Sequence, residues 1–226
     1  MLSQFSGDTP LAKTLDHLSE CAALVEAAKQ FHARGWMLGT AGNLSARDAN
    51  NPNTFWITAS GLPKGVLEES DFLSLPLTDS DSSNQYSRNG LKPSAETCIH
   101  QTIYTLFPQA NCCMHVHSID AVFAINKHAP QGASLRLPAI EMLKGFGIWQ
   151  QNPEIHLPIF ENHLDVADIA KDIHAHYQST PTQLDALMIR NHGITVWGNS
   201  IQQAYNRVEL IEFILSYMAK LAPSQH

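Results

Sequence analysis

The sequence feature that most constrains this chain is the run Cys113–Ser118, in which His115 and His117 stand two positions apart at the end of an apolar stretch. Residues 111–116 are predicted to form a buried β-strand. Because side chains along a strand alternate between its two faces, both imidazoles point to the same side. Two imidazoles on one face provide half of a first-row metal site. A pair of hydrogen-bonded histidines at the end of a strand is the simpler alternative.

A third metal ligand must come from elsewhere, and His192 is the best candidate. It lies between two apolar runs, residues 186–189 and 194–197, which predicts a hairpin with the histidine at its tip. Gly193 is expected to let the backbone turn there, because glycine tolerates conformations that other residues avoid. Three histidines with one open position are typical of a catalytic zinc site. We expect one Zn²⁺ per subunit, with another divalent first-row metal as the alternative.

The chain as a whole is predicted to form one domain over residues 1–226, since 226 residues with 44% apolar content suffice for one substantial core. Predicted helices and strands are interleaved without regular βαβ alternation and with hairpin signals. The expected fold class is therefore α/β, with a mixed, mainly antiparallel central sheet and helices on both faces.

Composition and charge restrict the cellular compartment and the classes of binding partner that we expect for this protein. The four cysteines show no disulfide framework, and the sequence shows neither a signal peptide nor an apolar run of membrane-spanning length. These features predict a reduced, cytoplasmic protein. The net charge is −7 and no block of Lys and Arg exists, which argues against nucleic acid and anionic membranes as partners.

The spacing of apolar residues predicts the remaining secondary structure. Pro10 suits the first turn of a helix and Gly35 its stop, while Ser94 is a candidate N-cap for another helix. Residues 80–90 are polar and are expected to form a surface loop. Helices are predicted over residues 10–33, 95–106, 118–127, 164–177 and 200–221, and further strands run into residue 47 and over residues 55–61, 72–78 and 155–160.

Three turns rich in glycine, asparagine and serine predict an anion site. Glycine lets backbone N–H groups approach a phosphate closely, and the Asn and Ser side chains add neutral donors. The N-terminus of a helix also favours negative charge. Ordinary turn chemistry would explain each turn taken singly. The candidate phosphate-binding residues are Gly42, Asn43, Ser60, Gly61, Lys92 and Ser94, with Lys64 as a second nearby positive charge.

Two glutamates are the candidates for acid–base catalysis. Glu141 lies between Ile140 and Met142, and burial in such an apolar setting would raise its pKa toward neutrality. A solvated glutamate at the start of a helix is the alternative. Glu96 lies in the first turn of a predicted helix, where the helix dipole stabilises a carboxylate whether or not it is catalytic.

Five motifs, taken in order, resemble the class II aldolase/epimerase/dehydratase superfamily. They are Gly39–Ser45, Ile57–Gly61, Ser94–Thr97, His115–Ser118 and Arg190–Gly193. The resemblance extends over nearly the whole chain and implies a three-layer α/β/α fold. It also implies a metal held by His115 and His117 of the fourth motif and His192 of the fifth, a small-molecule sugar-phosphate substrate and, by analogy, a homotetramer.

Within that superfamily, Glu141–Gly145, Leu157–Asn162 and Arg190–Gly198 resemble the methylthioribulose-1-phosphate dehydratase family of methionine salvage. This resemblance implies dehydration of 5-methylthioribulose 1-phosphate to 2,3-diketo-5-methylthiopentyl 1-phosphate through a metal-stabilised enediolate. It assigns the catalytic acid/base to Glu141. Glu96 matches instead the catalytic glutamate of the sugar-phosphate aldolases, so an aldolase or epimerase of the fuculose or ribulose phosphate type is the alternative.

Two further classes of function stay open at this point. A binding module without metal, similar to cytoskeletal adaptor relatives of the same fold, would not need three converging imidazoles. A zinc hydrolase would share the metal but has no HExxH-type helix motif in this sequence.

Overall fold

An eight-stranded sheet lies at the centre of the fold, in a computed structural model that describes residues 15–77 and 90–221. The strands are β1 (Asn43–Asp48), β2 (Asn51–Thr58), β3 (Phe72–Pro76), β4 (Cys112–Val116), β5 (Ser134–Arg136), β6 (His156–Phe160), β7 (Ala186–Ile189) and β8 (Gly193–Gly198). They lie in the order β3-β2-β1-β4-β8-β7-β6-β5, and all neighbours are antiparallel except β6 and β7. The predicted mixed, mainly antiparallel sheet is confirmed.

Helices cover both faces of this sheet, as predicted. They are α1 (Glu20–Ala33), α2 (Thr97–Leu106), α3 (Ile119–His128), α4 (Val166–Ser179) and α5 (Ile201–Lys220). Met114 and Val196 pack in one core with α1, α3 and α5, whereas Phe55 and Trp197 pack in a second core with α2 and α4. Among the described residues, no helix is long and apolar enough to cross a membrane. The single-domain organisation of residues 1–226 stays a prediction.

Strand β4 lies between β1 and β8 and is buried along its whole length. Its residues alternate between the two cores, so Cys112 and Cys113 face opposite sides of the sheet. The register pairs His115 with Asn43 on β1 and with Thr195 on β8. A row of three polar side chains therefore crosses the middle of the sheet.

Helix α1 begins at Glu20, and the Ser19 hydroxyl caps it by accepting a hydrogen bond from a backbone N–H in the first turn. The prediction of a continuous helix from Pro10 was wrong, because a separate 3-10 turn, Leu15–His17, precedes the cap. Pro10 itself lies outside the described residues. The predicted stop is confirmed, since Gly35 follows the helix with a φ of 79°.

Helix α2 begins at Thr97, and the prediction of Ser94 as its N-cap was wrong. The Ser94 hydroxyl accepts a hydrogen bond from the N–H of Glu96, and its carbonyl accepts one from the N–H of Thr97. Ser94 therefore stabilises the turn before the helix. Glu96 occupies the N-cap position, but its side chain makes no capping hydrogen bond. Its carboxylate is directed elsewhere.

Strand β5 and the 3-10 helices were not predicted from the sequence. Strand β5 has three residues, of which only Leu135 is buried, so it is too short to show a readable alternation. The segment Glu141–Phe146 forms a 3-10 helix. Of the predicted loop over residues 80–90, all but Gly90 lies outside the described residues, as does the predicted end of the third strand at Thr78.

A buried glutamate on α5 gives the fold a pH-dependent stability. Glu212 is 1% exposed, and its Oε2 accepts a hydrogen bond from the Ser118 hydroxyl. Its Oε1 has no hydrogen-bond partner among the described residues. Burial raises the pKa of Glu212 to about 7, against 4.5 for an ordinary glutamate, and the nearby carboxylate of Asp120 adds to the rise. The folded chain therefore prefers the neutral carboxyl.

We expect Glu212→Gln to stabilise the protein at pH 8 but not at pH 4.5. As the pH rises from 4.5 through 7, the unfolded chain loses the Glu212 proton first, so the wild-type free energy of unfolding falls. At about 1.4 kcal/mol per pKa unit, the loss reaches about 3 kcal/mol. Glutamine stays neutral and keeps an acceptor for Ser118. Urea denaturation of both proteins at the two pH values measures the difference.

Glu209→Gln, on the exposed side of the same helix, is the matched control. This variant removes the ion pair of Glu209 with Arg34, so it should not stabilise the protein at pH 8. Equal pH dependence in wild type and Glu212→Gln would contradict the assignment.

Candidate metal-binding active site

The fold brings the three predicted imidazoles together. His115 lies on β4, His117 follows the same strand, and His192 lies between β7 and β8. The centroids of the three rings are 4.6 to 4.9 Å apart. The Nε2 atoms of His115 and His117 are 2.9 Å from each other. The predicted hairpin is confirmed, with its histidine facing the end of β4.

The backbone of this hairpin differs from the prediction in one respect. Asn191, with a φ of 53°, takes the left-handed conformation, so Gly193 is not the residue that allows the turn. A Cβ atom on Gly193 would collide with the carbonyl oxygen of Val116 and lie 2.9 Å from Cδ2 of His117. Glycine is needed because β8 passes close to the histidine end of β4.

Glu96 adds a carboxylate to the histidine cluster. Its Oε1 lies 2.8 Å from Nε2 of His192 and 3.7 Å from Nε2 of His115. The candidate ligand atoms of the three histidines and Glu96 all lie within 4.8 Å of one another. The sequence identified Glu96 only as an acid–base candidate, because its proximity to the histidines depends on the packing of α2 against the sheet.

The ionisation states of these groups suit a cation. Burial lowers the pKa of His115 to about 4 and that of His117 to about 3, so both rings are neutral at pH 7. Burial alone would raise the pKa of Glu96, but His115, His192 and the Asn43 amide outweigh it and hold that pKa below its usual range. The cluster therefore offers the neutral imidazoles of His115 and His117 and the ionised carboxylate of Glu96.

This donor set fits a divalent first-row metal. Nδ1 of His115 lies 2.9 Å from the Thr195 hydroxyl, and a proton on Nδ1 leaves the Nε2 lone pair directed at the cluster. Two such lone pairs on His115 and His117, 2.9 Å apart, repel unless a proton or cation lies near them. The three histidines and Glu96 are thus a possible metal-binding cluster by geometry and by charge.

A cavity of about 200 Å³ lies beside the cluster and is lined by Glu96 and His117. Five of the six candidate phosphate-binding residues line it: Gly42, Asn43, Ser60, Gly61 and Ser94. Lys92 does not; its side chain is exposed, and only its carbonyl takes part, by accepting a hydrogen bond from the N–H of Ser60. The cation that lines the cavity is Lys64.

Lys64 is 1% exposed, which is rare for a lysine. Its Nζ donates hydrogen bonds to the carbonyl oxygens of Thr40, at 2.9 Å, and Leu62, at 2.8 Å. Burial lowers its pKa, while Glu96 opposes that shift. The sequence offered Lys64 and Lys92 as equal sources of positive charge, and only the fold distinguishes them.

Glu141 lies apart from this site on the same chain. Its side chain is 71% exposed and forms an ion pair of 2.9 Å with Lys144. It belongs neither to the histidine cluster nor to the cavity lining. Of the two alternatives for Glu141, the buried one was wrong and the solvated one is confirmed, because the side chains of Ile140 and Met142 turn toward the core while Glu141 faces outward. Its catalytic role stays a prediction.

Residues 22–218 match the family described as Class II Aldolase and Adducin N-terminal domain. The chain therefore belongs to this family. A solved L-fuculose-1-phosphate aldolase from Thermus thermophilus has the same fold, with a TM-score of 0.66 at 21% identity over 87% of this chain and 92% of that one.

Particular relatives are much closer in sequence. A methylthioribulose-1-phosphate dehydratase from Microcystis aeruginosa is 48% identical over 196 residues, which cover 87% of this chain and 93% of the relative. A protein of the same name from Leptospira biflexa is 39% identical over 211 residues, covering 91% of this chain and 99% of the relative.

We expect Gly193→Ala to destabilise the protein by about 1–3 kcal/mol, since the added methyl group must displace β8 from β4. The control is Gly132→Ala, where a Cβ atom would meet nothing closer than 3.1 Å. Chemical denaturation of the two variants measures the difference in free energy of unfolding. Equal losses would show that the close approach of the strands is not what requires glycine at position 193.

Proposed function

We propose that this protein is a metal-dependent lyase that dehydrates 5-methylthioribulose 1-phosphate to 2,3-diketo-5-methylthiopentyl 1-phosphate, a step of methionine salvage. The observation that carries the proposal is the 48% identity to a methylthioribulose-1-phosphate dehydratase over 87% of the chain. The cluster of three imidazoles and a carboxylate beside a small polar cavity supports it, because the reaction needs a cation next to a bound sugar phosphate.

His115, His117 and His192, together with Glu96, would hold the metal. We propose Zn²⁺, one per subunit, as the ion, with another divalent first-row metal as the alternative. When bound, such a cation supplies the positive charge that acidifies a C–H group next to a ketone and stabilises the negative charge that develops on its oxygen. His115 and His117 suit this task because burial keeps both rings neutral.

The cavity would bind the phosphate group of the substrate. Gly42 and Gly61 would offer backbone N–H donors at its wall, Ser60 and Ser94 would offer hydroxyls, and Lys64 would offer a positive charge. These local donors are needed because the chain as a whole carries a net charge of −7. Asn43 also lines the cavity, but its side chain is bonded to Glu96 and His100, while Lys92 would reach the substrate only from outside the cavity.

Proton transfer requires a carboxylate that removes the C3 proton and an acid that assists loss of the C4 hydroxyl as water. Glu141 is our candidate for both steps, because of the resemblance of Glu141–Gly145 to the methylthioribulose-1-phosphate dehydratase family. Because its side chain is 71% exposed on its own chain, it would reach the substrate through a neighbouring subunit or a closing movement. We propose a homotetramer by analogy with relatives. Glu96 is the second candidate and lies inside the cluster.

The metal assignment predicts that metal-free protein makes no diketone and that added Zn²⁺ restores its formation. His192→Ala should bind Zn²⁺ far more weakly than wild type, since a cation at this site loses one imidazole. His176→Ala, on the remote helix α4, is the control and should keep its metal. Metal analysis of purified proteins and a chelator titration measure both effects. Full turnover in rigorously metal-free protein would defeat the proposal.

The acid–base assignment predicts different losses for two glutamine variants. Glu141→Gln should bind Zn²⁺ normally and form the diketone about 10²–10⁴-fold more slowly, because it removes a general acid–base group. Glu96→Gln should weaken Zn²⁺ binding as well. Ultraviolet absorbance follows the diketone product. A near-wild-type rate for Glu141→Gln would transfer the role of acid/base to Glu96.

A sugar-phosphate aldolase or epimerase of the fuculose or ribulose phosphate type is the second candidate. The position of Glu96, with Oε1 2.8 Å from His192, favours it, because the resembling aldolases use a glutamate at this point of the sequence. Incubation with methylthioribulose 1-phosphate and with fuculose 1-phosphate separates the two: a dehydratase yields a diketone from the first, an aldolase yields C–C cleavage products from the second. A cytoplasmic location, and the expectation of no nucleic-acid or membrane partner, stay predictions.

A further inference from the structure

A chain of hydrogen bonds runs from Glu96 into the core between the sheet and α2. Oε2 of Glu96 accepts from Nδ2 of Asn43, and Oδ1 of Asn43 faces Nε2 of His100 at 2.5 Å. Nδ1 of His100 lies 2.6 Å from the Ser45 hydroxyl, which lies 2.7 Å from the Tyr104 hydroxyl. None of the four residues beyond Glu96 is more than 3% exposed. This series of hydrogen bonds is therefore shielded from water.

The donor and acceptor of each hydrogen bond in this series can be assigned, because the series ends at the carboxylate of Glu96. An ionised carboxylate only accepts, so the Asn43 amide nitrogen must face Glu96 and its carbonyl oxygen must face His100. Nε2 of His100 then carries the proton. A neutral ring has a bare Nδ1, which accepts from Ser45, and the Ser45 oxygen in turn accepts from Tyr104. Every donor points toward Glu96.

The two oxygens of Glu96 serve different neighbours. Oε1 faces His192 and His115 in the cluster, whereas Oε2 is held by Asn43. If the Asn43 amide were flipped, its carbonyl would face the carboxylate and its nitrogen would face a ring N–H, so both contacts would become repulsive. His100 prevents that flip as long as its proton stays on Nε2. Burial lowers the pKa of His100 to about 4, which keeps the ring neutral at pH 7.

We infer that His100 is a positioning residue: as the neutral Nε2–H tautomer it fixes the Asn43 amide, which holds Oε2 of Glu96 and leaves Oε1 directed at the histidine cluster. The inference rests on the proposed function only in taking the cluster as a metal site. Groups that hydrogen-bond to metal ligands are known to affect metal affinity strongly. A satisfied polar network that serves stability alone would predict no special effect of His100 on metal binding.

The first test is direct observation of the ring. Long-range ¹H–¹⁵N spectra of the histidine side chains in the metal-free protein at pH 7 distinguish the two neutral tautomers and the imidazolium. The signal of His100 is identified by its loss in His100→Gln. We expect the Nε2–H tautomer. An Nδ1–H tautomer or a charged ring would overturn the inference, whatever the enzyme activity.

The second test is Zn²⁺ affinity, measured by competition with a chelating dye. His100→Phe leaves Asn43 without a donor at its carbonyl, and we expect about 10–100-fold weaker binding. His100→Gln keeps an amide donor and should recover much of the loss. Tyr104→Phe is the matched control, since Tyr104 is similarly buried in the same helix and network but does not touch Asn43. Equal loss in Tyr104→Phe and His100→Phe would overturn the positioning role.

If His100→Phe does not fold, Ser45→Ala replaces it. This variant keeps the ring but removes the donor to Nδ1, so the tautomer preference should weaken together with Zn²⁺ affinity. Loss of the tautomer with unchanged affinity would overturn the inference. A wild-type protein that binds Zn²⁺ but forms no diketone would refute the proposed reaction and leave the role of His100 intact.

Discussion

The site depends on the antiparallel pairing of β4 with β1 and β8. That register places Asn43, His115 and Thr195 side by side across three strands on the face covered by α2 and α4. A slip of one residue would turn His115 to the opposite core, because the side-chain period of a strand is two. The apolar residues on both faces of β4 fix the register, so the same burial that stabilises the sheet also aims the imidazole.

Sequence patterns predicted what depends on short-range periodicity. The alternation around Cys113–Ser118 placed two histidines on one face, and the paired apolar runs placed His192 at a hairpin tip. Sequence patterns could not predict which glutamate lies in the histidine cluster. The apolar neighbours of Glu141 bury their own side chains and leave its carboxylate in solvent. The carboxylate of Glu96 reaches the histidines through the packing of α2, and no local pattern carries that information.

Contacts between remote segments account for two further differences from the predicted site. Gly193 was expected to permit a turn, but it is required by Val116, 77 positions earlier in the chain, whereas Asn191 makes the turn. Lys64 and Lys92 are equivalent in the sequence, and only the approach of the Thr40 and Leu62 carbonyls buries the first of them. The roles of residues that depend on long-range contacts are the hardest to predict from a single sequence.

The burial of Lys64 has a consequence for anion recognition. An ammonium group has three N–H donors, and Lys64 uses two of them on backbone carbonyls of its own chain. Its hydration shell is removed and its rotamer fixed when the protein folds. If the cavity binds phosphate as proposed, the phosphate meets a charge that is already dehydrated and immobile, and binding does not have to freeze a flexible side chain. The cavity would then be preorganised before the ligand arrives.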